Sequence, residues 1–117
     1  MFSMPTLPTT TLPAHRDEAT KLAVAGLHKL VACGRGDTGG SEACRAIILA
    51  CYNGSENPLD LSELRRLDFD LTVAAFHVIH KSSNHLDEEI HNWDPELTST
   101  IRGWAGEAHQ RRQAAGA

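Results

Sequence analysis

A chain of 117 residues, 41% apolar and 22% charged, has the size and composition of one globular domain, which excludes a second core and wholesale disorder. Its net charge of −4, with histidines neutral, has the wrong sign for a nucleic-acid binder and is too mild for a nucleic-acid mimic. The longest unbroken apolar run, residues 46–51, is far short of the roughly 20 residues that cross a bilayer.

The chain begins MFSMPTLPTTTLPAH, without the basic start and continuous apolar block of a secretory signal. Pro5, Pro8 and Pro13 cannot donate backbone hydrogen bonds, so residues 1–14 read as a flexible arm rich in proline and threonine. The helical domain is expected over residues 15–112, with a disordered tail at 113–117. Its first helix covers residues 16–33, opened by Asp17 and Glu18 at the positive end of the dipole. Ala19, Ala23, Leu27, Leu30 and Val31 recur there at helical spacing.

A glycine-rich turn, Gly34 to Gly40, leads to Ser41 as the expected cap of a second helix that leaves through a left-handed Asn53-Gly54 exit. Between Glu42 and Tyr52 only Arg45 is polar. A helix apolar on nearly every face must be covered on nearly every face, so this one belongs at the centre. Asp60 or Ser62 caps a third helix over residues 62–81, bent near Asp68. Its apolar seam is Leu64, Leu67, Leu71, Ala74 and Val78, widened by Phe69, Val73 and Phe76. An acidic stretch follows, and Asp94-Pro95-Glu96 starts a last helix with Leu97, Ile101, Trp104, Ala105 and Ala108 inward. No segment alternates like a strand. The expected fold is all-α, a single-domain bundle of four main helices.

Several groups of residues bear on function. Gly34-x-Gly36-x-x-Gly39 satisfies the dinucleotide fingerprint literally, but a helix precedes it where a strand is required. What remains is either an anion held by Gly39, Gly40 and Ser41 at a helix start, or a plain interhelical turn with positive φ angles. Seven histidines raise the question of metal. His77 and His80 lie three apart on one helix, and His85 and His91 follow within reach, so these four are the metal alternative. On this reading His77 is the more exposed of the pair. Ordinary boundary histidines are the competing reading.

Three cysteines without a Cys-x-x-Cys pair indicate a reduced, cytoplasmic protein without disulfides. Cys44 and Cys51 share a face of the most buried helix, and Cys33 sits at a helix end that disfavours a thiolate. No nucleophile, base and orienting group coincide, so no enzyme activity and no cofactor are expected. The acidic residues Asp87, Glu88, Glu89, Asp94 and Glu96 surround Trp93, which is either a partner anchor with a charged rim or a core anchor of its loop.

The turn Asp37-Thr38-Gly39-Gly40-Ser41, the apolar helix ending at Asn53, and Leu59-Asp60-Leu61-Ser62-Glu63-Leu64 with Leu67-Asp68 resemble a family of small uncharacterised proteins. That family is encoded mainly on plasmids, integrative elements and phages of proteobacteria. The likeness covers residues 20–80, and departs at Pro58-Leu59, where an aromatic often sits, and in the acidic loop after His85. The family brings no catalytic residue. It implies an accessory protein that binds a host protein or protein complex, with inhibition of a defence system such as CRISPR as a prominent form. A homodimer through residues 97–108 is also open. Neither nucleic acid nor membrane is an expected partner.

Overall fold

The computed structural model describes residues 16–84 and 88–116. Four helices carry it: α1 Arg16–Gly34, α2 Gly39–Tyr52, α3 Phe69–Asn84 and α4 Pro95–Ala115, with 3-10 turns at Leu61–Arg66 and Ile90–Asn92. No strand occurs among the described residues, and the all-α expectation holds. The expected N-terminal arm lies outside the described residues. At the other end α4 continues through Ala115, so residues 113–115 are helix where a tail was expected. No helix among the described residues is long and apolar enough to cross a membrane.

As its composition requires, α2 is central. Ala43, Cys44, Ile47 and Ile48 have no exposed surface, and α2 touches α1, α3, α4 and both 3-10 turns. Around it pack Leu27, Leu30 and Val31 of α1, Ala75 and Val78 of α3, and Leu97 and Ile101 of α4. Each such leucine, isoleucine or valine contributes roughly 1.5–3 kcal/mol by leaving water. Arg45, the one polar residue in the apolar run, has a structural use. Its Nη1 donates to the carbonyls of Gly34 and Gly36, groups that the end of α1 leaves without helical partners.

The most extensive pairing is between α1 and α3. Gly26 makes it possible: a Cβ there would lie 2.8 Å from the carbonyl oxygen of Ala74, so only glycine lets the two backbones come this close.

Three local expectations are corrected. The third helix is not continuous from residue 62. Leu67 is extended (φ −103°, ψ 145°) and the Asp68 carboxylate accepts from the Leu71 amide at 2.9 Å, so a side-chain cap starts α3 afresh. Thr38, not Ser41, caps α2, its Oγ1 accepting from the Ser41 amide at 3.1 Å. Finally, no described residue has positive φ, so neither the glycine turn nor Asn53-Gly54 is left-handed. At the α2 exit Asn53 Oδ1 accepts instead from Ser55 Oγ at 2.9 Å and the Glu56 amide at 3.3 Å.

Candidate functional site

The acidic stretch divides between core and surface. Trp93 is only 8% exposed and belongs to the core, with Nε1 donating to the Glu88 carbonyl at 3.1 Å. The ammonium of Lys81, itself buried and 3.4 Å from Thr20 Oγ1, lies 5.2 Å from the Trp93 ring centroid. An indole so placed cannot anchor a partner, which corrects the surface reading of this residue. Glu88, Glu89 and Glu96 are exposed, and Asp87 lies outside the described residues. Asp94 caps α4, its Oδ1 accepting from the Glu96 amide at 2.9 Å, while Oδ2 meets His28 Nε2 at 2.5 Å. That amide first, and His28 second, hold the Asp94 carboxyl below the usual carboxylate range.

The histidines are arranged differently from the expectation. His77 is buried, not exposed, because the α1–α3 pairing covers its side of α3. Its Nδ1 has no hydrogen-bond partner, and burial, reinforced by the charges of His80 and Lys29, pushes its pKa down. His91 packs edge-on against Tyr52 with ring centroids 5.1 Å apart, and His85 lies outside the described residues. Among the described residues, His77, His80 and His91 are not brought together into a three-ligand group. The group that does converge is His28, Asp94 and Glu96, with one ligand atom from each within 4.8 Å of the others. The start of α4 was legible from Asp94-Pro95-Glu96, but nothing local pointed to His28.

At the glycine turn, Ser41 is buried, its amide taken by Thr38 and its Oγ 2.9 Å from Thr38 Oγ1. Arg66 lies against Gly39, held at 3.0 Å by each of Glu42 and Glu63. Gly39, Gly40 and Ser41 therefore form a helix start that already has a side-chain cap and a neighbouring cation.

Two neighbouring hollows lie along α2 and α4. One is about 560 Å³, lined by Arg35, Trp104 and Glu107; the other is about 430 Å³, lined by Glu56, Asn57 and Ala108; both touch Arg45 and Arg111. Some of their charges hold the chain together. Arg45 caps α1, and Arg112 binds Asn57 Oδ1 at 2.8 Å and Glu56 at 3.1 Å.

The three cysteines are free thiols. Burial, with Cys33 beside it, pushes the Cys44 thiol up to about 12, and burial also raises Cys51. Both are poor sources of thiolate.

The feature missed by reading apolar positions as core is on α3. Phe69 is 71% exposed and Phe76 48% exposed, although the seam beside them is buried. They stand seven residues apart with Val73 between, so all three share a face. Beside them a groove of about 230 Å³ runs along α1, lined by Leu22, Ala25, Phe69 and Val73, with Lys29 and Asp70 as its charged groups and His77 in its wall.

No curated protein and no solved structure matches this chain. A model described as a family of unknown function, DUF7673, matches residues 24–105, a span that holds α2, α3, the acidic stretch and the first half of α4. The chain belongs to that family.

Proposed function

We propose that this protein is a non-enzymatic binding protein whose α1–α3 face receives an amphipathic helix of a partner protein. The observation that carries the reading is the exposure of Phe69 and Phe76, two aromatic side chains on the outer face of a helix whose Leu71, Ala74, Ala75, Val78 and Ile79 pack on the core. At about 1.5 Å per residue the two rings are about 10 Å apart along α3, the repeat over which a helix presents residues at i, i+3 or i+4, and i+7. Lys29 and Asp70 give the groove one charge of each sign, which suits the mixed polar flanks of such a helix. The resemblance to proteins of plasmids, integrative elements and phages supplies the setting: a host protein or complex as target, and inhibition of a defence system such as CRISPR as the outcome.

The test is capture from a proteobacterial host lysate by tagged protein, compared with the Phe69→Ser/Phe76→Ser variant. A single partner is then purified and the complex rebuilt. Support requires a stoichiometric complex with the wild-type chain, lost in a variant that melts at the same temperature. A rebuilt complex that the folded variant holds equally well overturns the reading. Light scattering of the isolated chain distinguishes self-association: a dimer abolished by the same substitutions would place a second copy on this face instead.

A further inference from the structure

We propose that His28, Asp94 and Glu96 form a binding site for a divalent transition metal, zinc above all, that ties the middle of α1 to the start of α4. The residues come from two elements far apart in sequence, His28 from α1 and Asp94 and Glu96 from the start of α4, and His28 and Asp94 are 66 positions apart. Imidazole nitrogen and carboxylate oxygen are both zinc ligands, and three protein ligands leave a coordination position open. A purely hard cation such as calcium or magnesium prefers oxygen throughout.

The site is partly organised without an ion. Asp94 is fixed by the capping bond that its Oδ1 accepts from the Glu96 amide, and this aims Oδ2 at His28 Nε2, 2.5 Å away. Ligands bonded at about 2.0–2.2 Å around a tetrahedral zinc stand roughly 3.3 Å apart, so insertion needs His28 and Asp94 to separate by less than about 1 Å. The Glu96 carboxylate makes no ion pair or hydrogen bond among the described residues, and it lies close enough to close the third position. The His28 side chain is 41% exposed and Asp94 21% exposed, so an ion can enter from solvent and keep water as its remaining ligand. Helices α1 and α4 otherwise touch little, so a metal here would add a cross-link that packing does not provide.

The experiment uses the full chain with its tag removed and metals stripped by chelation. Zinc chloride is titrated calorimetrically, and melting is followed with zinc, calcium and magnesium in turn. One equivalent of zinc should bind and raise the melting temperature, with calcium and magnesium far weaker. Glu96→Gln, on an exposed side chain without another partner, should leave the metal-free melting temperature unchanged and weaken zinc binding about tenfold or more; His28→Gln should weaken it likewise. Absence of one-equivalent binding overturns the site. So does wild-type zinc affinity in both variants, which would put the ion on other histidines. Equal stabilisation by calcium overturns the transition-metal assignment. If the site is only an ion pair and a helix cap, Glu96→Gln changes nothing.

Discussion

Helices α2 and α3 both look apolar in sequence, yet they serve opposite ends. On α2 the apolar residues are used up by contact, with Ala43, Cys44, Ile47 and Ile48 wholly covered. On α3 the seam of Ala74, Ala75 and Val78 is covered, while Phe69 and Phe76 face away from it. Apolar content therefore does not separate a core helix from a helix that also presents a surface. What separates them is whether neighbours remain to cover each face.

Substitutions should separate the two kinds of apolar residue by size of effect. The largest is expected at Trp93, which the sequence offered as either a surface anchor or a core anchor of its loop. Trp93→Ala should cost about 3–5 kcal/mol in denaturant unfolding, as truncation of a buried aromatic does; a near-neutral result would return Trp93 to the surface. Ile47→Ala on α2 should cost about 2–5 kcal/mol. At the α1–α3 crossing, Gly26→Ala should cost about 1–3 kcal/mol, because its Cβ meets backbone rather than a movable side chain. Phe69→Ser and Phe76→Ser, although they remove larger side chains, should each stay within about 0.5 kcal/mol of wild type. Should either cost as much as Ile47→Ala, the exposed-face description of α3 fails.

A smaller, pH-dependent effect also comes from the α1–α3 contact. Burial holds His77 below its ordinary value of 6.5, so the unfolded chain binds a proton there more readily than the folded chain. Stability from this group is therefore complete above about pH 6.5, declines as pH falls through that value, and levels off below the folded pKa. Melting temperatures from about pH 7.5 down to about pH 5 should fall, and His77→Gln should flatten part of the slope. Asp94 acts in a lower window. Its carboxyl is held below 3.8, so its contribution is present above that value and is lost as pH drops through the folded pKa.

The helical class, the central α2 and the start of α4 were legible because each rests on neighbours in sequence: apolar spacing, composition, and Asp94-Pro95. The break at Leu67-Asp68 was only partly legible. Leu64, Leu67 and Leu71 keep helical spacing across it and all pack on the core, so periodicity runs through a break that the Asp68 cap makes. The glycine turn misled because glycine signals either positive φ or close approach. Here it is close approach: Gly39 lies under Arg66. The sites were least legible. Whether Phe69 faces in or out depends on what covers α3, and the pairing of His28 with Asp94 spans 66 positions. Neither leaves a local trace.

Hydrogen–deuterium exchange of the chain, free and bound to its purified partner, tests the function of the exposed α3 face most directly. New protection concentrated on residues 69–77 and on α1 around Leu22 to Lys29 is the predicted result. Protection confined to the Glu88–Glu96 stretch or to the α2–α4 hollows, with residues 69–77 unchanged, contradicts it.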